Sequence, residues 1–187
     1  HVLKLEFKGR RAVGIRYRLG GKDVVAQARG EVILTAGAVQ SPQLLELSGI
    51  GHPETLSAAG LPVFHALQGV GNNYRDHFAT RMNWRVKLPI TLNEQTRGLK
   101  LGKAVAQYFL TRTGILTRGT GLAHGFVKTR PEQETPDIQY FFMHASYANA
   151  ADRALDHLPG MTIGVTQLRP QSIGSIHVKS ADPYAQP

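Results

Sequence analysis

The stretch Gly37-Ala38-Val39-Gln40-Ser41-Pro42-Gln43-Leu44-Leu45-Glu46-Leu47-Ser48-Gly49-Ile50-Gly51 decides the fold class of this 187-residue chain. It follows residues 31–35, whose apolar run is typical of a strand covered on both faces of a sheet. Gly37 permits a sharp turn, Ser41 suits the N-cap of a helix, and Pro42 suits its first position. The pattern predicts a buried strand, a glycine turn and a short helix that ends at the Ser-Gly pair. Because many α/β domains contain such a unit, it does not by itself identify a function.

The same stretch resembles the second signature of the glucose-methanol-choline (GMC) family of FAD-dependent alcohol oxidoreductases. That signature has a small residue after glycine, then Ser-Pro, two aliphatic residues and Ser-Gly-aliphatic-Gly. The matching positions are Gly37, Ala38, Ser41, Pro42, Leu44, Leu45, Ser48, Gly49, Ile50 and Gly51. Further segments similar to the choline and aliphatic-alcohol dehydrogenase branch are residues 61–63, 69–72, 76–77, 169–174 and 180–183. The resemblance therefore covers nearly the whole chain.

The resemblance implies an enzyme that oxidises an alcohol with FAD as its cofactor. In intact family members, a histidine base takes the hydroxyl proton while the carbon-bound hydrogen leaves as hydride to flavin N5. Members also carry an N-terminal Gly-x-Gly-x-x-Gly turn and a C-terminal segment with the catalytic histidine, and neither is found here. Residues 69–74 and 119–124 begin like dinucleotide turns but lack the third glycine. We therefore expect an internal fragment of a choline or alcohol dehydrogenase that contains no catalytic residue and is inactive alone.

Composition argues against several other function classes. The formal net charge is +9, but lysine and arginine are scattered, so we expect no nucleic-acid partner. No apolar run reaches the ~18 residues of a membrane span. The absence of cysteine excludes thiolate metal sites, and the histidines lack zinc-site spacing, so no metal is expected. The absence of cysteine is also compatible with the cytoplasm, which we favour as the location.

Two matters stay open at the level of function. A non-catalytic binding module that retains the fold is the alternative to an enzyme. If the protein is an enzyme, its partner is a small-molecule alcohol. The sequence does not identify that alcohol, the electron acceptor, the oligomeric state, or whether the enzyme is an oxidase or a dehydrogenase.

The chain is expected to divide at residue 77 into two parts of an α+β fold. Residues 1–77 are predicted to be part of an FAD-binding α/β domain that starts with a three-stranded meander. Residues 78–187 are predicted to be a substrate-binding domain, truncated at its C-terminal end, with an antiparallel sheet and helices on one side. A short helix over residues 53–59, closed by Gly60, is expected after the signature.

The resemblance also implies which residues of the first part lie near FAD. Val2 matches a position whose backbone contacts the adenine, and Ala36 and Gly37 begin the signature. In the family, the pattern Asn-x-x-Asp-His closes a loop near the junction of the flavin domain with the substrate domain, which makes Asp76 and His77 candidates for cofactor contact. The asparagine of this pattern is Asn72 or Asn73, and the spacing from Asp76 favours Asn72. The alternatives are that Val2 is an ordinary strand residue and that the loop residues only satisfy backbone groups.

Strands and one long helix are predicted in the second part. Residues 78–86 alternate as a half-buried strand, with Phe78, Met82 and Trp84 on the apolar face. Residues 93–111 form a helix whose stripe of Leu101, Val105, Tyr108 and Phe109 is expected in the core. Further strands are expected at residues 123–128, 137–145 and 161–168, and the last is expected to form a hairpin with residues 175–179.

Four residues of this sheet are candidates for the substrate cavity. Tyr140, Phe142 and His144 are two residues apart, so that alternation can aim them to one side, and Gln167 lies on the last strand. Alternatively, Tyr140 and Phe142 pack against the helix, and His144 is an ordinary edge residue. The whole assignment depends on residues 32–34 lying in a sheet and residues 41–47 forming a helix.

Overall fold

A computed structural model describes residues 1–119, 121–149, 151–152 and 154–187. The chain forms two compact units: unit 1 consists of His1–Arg75 and Gln171–Pro187, and unit 2 of Asp76–Pro170. The boundary therefore lies two residues before the expected position. Residues 171–187, expected in the second domain, belong instead to unit 1. Thr120, within the rejected turn at residues 119–124, lies outside the described residues.

Unit 1 begins with the predicted three-stranded meander, which is confirmed. Strands β1 (Val2–Lys8), β2 (Arg11–Leu19) and β3 (Lys22–Gln27) form an antiparallel sheet in the order β1-β2-β3. Gly9 and Gly20 have positive φ angles in the two connections, which is why glycine is suited to these turns. Leu3 and Leu5 on β1 are buried and contribute to the core of the unit.

The buried strand predicted at residues 31–35 is wrong. This segment has no strand assignment, and the Ile33 side chain is 75% exposed. A buried strand needs a neighbouring strand with which to pair, and the described residues place none beside this segment. Val32 and Leu34 are half-buried and line a cavity instead.

The signature helix is present but begins earlier than predicted. Helix α1 (Gly37–Leu47) has Ala36 at its N-cap, without a side-chain cap. The N-cap prediction for Ser41 is wrong, and Pro42 lies inside the helix. Gly37, with φ +87°, makes the sharp turn itself, so helical geometry starts before the Ser-Pro pair.

The helix ends as predicted at Ser48. Its hydroxyl donates to the Leu44 carbonyl at 2.6 Å and accepts from the Leu5 N–H at 2.9 Å. One side chain thus closes α1 and ties it to β1. Gly49 follows with φ +80°, a backbone conformation that favours glycine.

The segment after the signature is short and compact. Strand β4 (Ile50–Gly51) pairs in parallel with β5 (His65–Ala66), and helix α2 (Pro53–Ala58) lies between them in sequence. The predicted helix and its closure by Gly60 are confirmed, since Gly60 has φ +72°. Leu56 of α2 is fully buried.

The predicted hairpin between residues 161–168 and 175–179 is wrong. Residues 175–179 form no strand, and Gly174 makes an antiparallel bridge to Tyr74 of unit 1. Alternation of Ile176 and Val178 is compatible with any extended segment. Pairing with another loop therefore satisfies the sequence pattern as well as a sheet does.

Unit 2 contains the predicted antiparallel sheet. Strands β6 (Ala79–Arg85), β7 (Gly121–Val127), β8 (Ile138–Met143) and β11 (Gly160–Gln167) are arranged in the order β6-β11-β8-β7. All three pairings are antiparallel. Strands β9 (Tyr147–Asn149) and β10 (Ala154–Leu155) form a separate small ladder. The half-burial expected for β6 is wrong, because each of its residues is exposed.

The single helix predicted at residues 93–111 is two helices, α3 (Leu92–Gln95) and α4 (Gly98–Thr111). Helix α3 is set by a capping box in which the side chains and backbones of Thr91 and Glu94 bond reciprocally. Gly98, with φ +51°, then redirects the chain.

The apolar stripe of α4 is not in the core as expected. Leu101, Val105 and Phe109 are exposed, Tyr108 is half-buried, and Ala104 is the buried residue of this helix.

A buried asparagine organises the core of unit 2. Asn93 is fully buried, donates to the Ser146 carbonyl at 2.8 Å and accepts from the Ser146 N–H at 3.0 Å. These bonds join α3 to the segment before β9. None of the helices in the described residues has the length and apolar character needed to cross a bilayer.

Candidate functional site

The first candidate site is a cavity of about 430 Å³ in unit 1. Its walls come from the meander, from residues 32–36 and from one side of α1. The lining residues are His1, Val2, Leu5, Ile15, Val32, Ile33, Leu34, Thr35, Ala36, Gln40, Gln43, Leu44, Leu47 and Pro183. The structure therefore brings together Val2 and Ala36, two of the residues that the sequence predicts near a cofactor. The volume lies within the range of small-molecule sites, about 300–1,000 Å³.

The N-terminus of α1 starts at the wall of this first cavity. Ala36, which lines it, is the N-cap, and Gly37 is the first helical residue. The first turn contains no acidic side chain. The positive end of the helix dipole is therefore not neutralised by a carboxylate, which favours an anionic group nearby.

A second cavity of about 710 Å³ lies on another side of α1. It is lined by Ala38, Ser41, Pro42, Leu45, Leu67, Gly69, Val70, Gly71, Asn72, Asn73, Tyr74, Arg75 and Ile176. Both candidate asparagines are among these residues. Asn72 donates to the Gln68 carbonyl at 2.6 Å, whereas Asn73 has a positive φ of 61°.

Asp76 and His77 are not among the residues that line either cavity, and both belong to unit 2. The carboxylate of Asp76 accepts from the His77 N–H at 2.8 Å. This bond between adjacent residues is the local turn role that we gave as their alternative.

The sheet register of unit 2 places three of the four substrate-cavity candidates on one face. Tyr140 lies opposite Val165, Phe142 opposite Ile163, and Gln167 opposite Ile138. Directly opposed residues of antiparallel strands point to the same face. Tyr140, Phe142 and Gln167 therefore share a face.

Strand β6 extends this face with Met82 and Trp84, which lie opposite Ile163 and Met161. His144 follows β8 at a bend, is buried, and accepts the Leu92 N–H at its carbonyl at 2.9 Å. It is therefore not part of the alternation that we predicted for it.

The sequence reasoning missed a buried carboxylate at Glu46. This side chain is fully buried, and its Oε1 lies 2.6 Å from His177 Nδ1. Its Oε2 accepts the Val178 N–H at 2.8 Å. The available signal was a charged residue within the apolar run of the signature, where burial requires a partner.

Two half-buried carboxyl groups of unit 2 have lowered pKa values. A hydrogen bond from Arg85 lowers the pKa of Asp156 below its ordinary value, and their ion pair measures 2.9 Å. The hydroxyl and N–H of Thr129 lower the pKa of Asp137 in the same way. These groups stabilise loops and lie outside both cavities.

Comparison with known proteins identifies the family and the fold of this chain. Residues 1–79 match the family model described as GMC oxidoreductase. An oxygen-dependent choline dehydrogenase of Chromohalobacter salexigens is 37% identical over 183 residues, covering 98% of this chain and 33% of that protein. A protein of the same description from Pseudomonas fluorescens is 37% identical over 187 residues, with coverages of 98% and 33%. The chain thus spans about a third of the length of these curated relatives.

Solved structures support the α+β fold. A formate oxidase matches 100% of this chain and 38% of its own chain, with a TM-score of 0.85 and 24% identity. A fungal aryl-alcohol oxidase matches 100% and 39% of the two chains, with a TM-score of 0.72 and 21% identity. At these identities the likeness concerns the fold alone. The match of residues 1–79 and the sequence relatives show that the chain belongs to the GMC oxidoreductase family.

Proposed function

We propose that the intact protein containing this chain is an FAD-dependent oxidoreductase that acts on the CH–OH group of an alcohol. The family and the names of the sequence relatives support this reaction class. The observation that carries the proposal is the meeting of Val2 and Ala36 in the 430 Å³ cavity beside the start of α1. This chain would supply part of the FAD-binding domain in unit 1 and a substrate-binding sheet in unit 2.

The first cavity fits the adenosine side of FAD. Its apolar walls suit a flat heterocycle, and the helix N-terminus suits the neighbouring pyrophosphate. Val2 would hold the adenine through its backbone, and Ala36 and Gly37 would bring the helix end close to the anionic group. When bound, FAD supplies the hydride acceptor of the reaction. We assign Asn72, which lines the second cavity, to the flavin side.

The substrate proposal rests on unit 2. The face with Tyr140, Phe142 and Gln167 also carries Trp84. The buried His144 follows β8 and is not assigned to this face. Aromatic faces attract a quaternary ammonium by about 0.5–2 kcal/mol each. We therefore propose choline as the alcohol, with these side chains forming part of its cavity.

The test uses the purified intact protein. We expect a yellow protein that releases FAD on denaturation and whose flavin is reduced anaerobically by choline. The uncharged isostere of choline, in which carbon replaces nitrogen, is the matched control for charge recognition. Equal reduction by both compounds would refute choline selectivity while retaining the alcohol reaction. A protein that binds no FAD would refute the enzymatic assignment in favour of a binding module with the same fold.

A further inference from the structure

Two segments of unit 1 meet at one buried carboxylate. Glu46 projects from α1, and its two oxygens meet consecutive residues of the C-terminal segment, His177 Nδ1 at 2.6 Å and the Val178 N–H at 2.8 Å. Glu46 is fully inaccessible to solvent, whereas His177 is one quarter exposed. An unpaired carboxylate at this position would be costly to bury, so its partners are required for the folded state.

The glycine loop at residues 69–72 and the adjacent Tyr74 are hydrogen-bonded to the same C-terminal segment. The Ile176 N–H donates to the Gly71 carbonyl at 2.8 Å, and Tyr74 and Gly174 exchange two backbone bonds at 2.9 and 2.8 Å. A Cβ on Gly71 would overlap the Ile176 carbonyl oxygen and lie 2.6 Å from His177 Nδ1. The loop therefore rests directly on residues 176 and 177.

These contacts connect the two walls of the second cavity. One wall is the side of α1 that includes Ser41 and Leu45, and the other is the glycine loop together with Ile176. Residues 175–179 have no secondary structure of their own to fix their position. Backbone bonds join this segment to the glycine loop, and the Glu46 carboxylate joins it directly to α1.

We propose that Glu46 and His177 form a positioning pair that holds the second cavity in the shape required by the flavin side of the cofactor. This inference rests on the proposed function. Neither residue lines the cavity, so neither needs to touch the cofactor. Their effect is transmitted through Ile176 and Gly71 to the wall that carries Asn72.

The experiment measures FAD affinity and the bound-flavin spectrum of the intact protein with Glu46→Leu, Glu46→Gln and His177→Leu. We expect Glu46→Leu to weaken FAD binding about tenfold, the equivalent of losing about one charge-assisted hydrogen bond, and to shift the flavin absorption bands. Glu46→Gln keeps an acceptor for the Val178 N–H and should recover most of the affinity. Amide hydrogen exchange of residues 174–180 should be faster in Glu46→Leu than in Glu46→Gln.

Leu3→Ala is the matched control for loss of stability. Leu3 is buried in unit 1 but lines neither cavity. This variant should lower the melting temperature while leaving FAD affinity and the flavin spectrum unchanged. The inference is overturned if Glu46→Leu binds FAD with wild-type affinity and spectrum, or if Leu3→Ala weakens FAD equally. A wild-type protein without FAD affinity would instead overturn the proposed function, and this inference with it.

Discussion

Replacing Gly71 by alanine tests how closely the glycine loop rests on the C-terminal segment. Gly71 has φ +75°, and an added Cβ would overlap the Ile176 carbonyl. The left-handed backbone should cost about 1–2 kcal/mol in an alanine. Overpacking against a backbone that is itself hydrogen-bonded should add about 1–3 kcal/mol.

Gly60→Ala is the matched control because both glycines have a positive φ, but only Gly71 lacks room for a Cβ. Gly60 has φ +72°, and nothing lies within 4 Å of the position that an added Cβ would take. Only the backbone cost of about 1–2 kcal/mol should apply there. The two variants should therefore differ by about 1–3 kcal/mol in free energy, and this difference measures the contact between residue 71 and the C-terminal segment.

The assay is native-state hydrogen exchange of the Ile176 and Val178 amides, which bond to Gly71 and Glu46. A difference of about 1–3 kcal/mol corresponds to exchange that is about five- to 150-fold faster in Gly71→Ala than in Gly60→Ala. If both variants exchange at the same rate, the loop does not rest on this segment and the expected link between them is refuted.

Three further predictions concern unit 2. Asp156→Asn should reduce the acid sensitivity of folding: the Arg85 bond lowers the folded pKa of Asp156, so its stabilisation is complete above the ordinary value of 3.8 and is lost as pH falls through the lower folded pKa. Melting temperatures across this range check it, and an unchanged pH profile would contradict it. Asn93→Leu should leave the Ser146 carbonyl and N–H without their Asn93 partners and destabilise unit 2 by about 1–3 kcal/mol for each group. Thermal unfolding measures this loss, with Asn149→Ala at an exposed position as the comparison. Trp84→Leu should raise the KM for choline about tenfold but leave the KM for its uncharged isostere nearly constant, and an equal rise for both would exclude a cation contact.

Local sequence patterns predict the sheets of this chain well. Alternation with glycine turns predicts the meander of unit 1, and alternation also predicts the strands of unit 2. The failures occur where distant partners decide the structure. Residues 31–35 have the composition of a buried strand but no neighbouring strand in the described chain. Residues 175–179 alternate like a strand and pair with a loop instead.

Helix boundaries depend on local backbone choices that the sequence leaves open. Ser41 and Pro42 resemble a helix start, yet the positive φ of Gly37 begins the helix earlier. The capping box at Thr91 starts a short first helix and Gly98 begins another where periodicity predicts continuity. The family assignment was expected to require a strand at residues 32–34 and a helix at residues 41–47; the helix is present and the strand is not. The assignment now rests on the sequence relatives, which do not depend on that strand.

The sequence predicts only part of the candidate site. Val2 and Ala36 were named through the family resemblance, and the structure brings them to one cavity, although their contact with FAD stays a prediction. Glu46 lies at a variable position of the signature, and His177 is far from it in sequence. Only the folded chain shows that they meet.

The discontinuity of unit 1 has a consequence for how the protein is synthesised. A ribosome completes residues 76–170 before it reaches the segment that supplies His177 and Val178. Until then, Glu46 lacks both partners, and a carboxylate must stay hydrated. The first part of unit 1 therefore cannot complete its fold until the last segment has been synthesised and His177 and Val178 bind the Glu46 carboxylate.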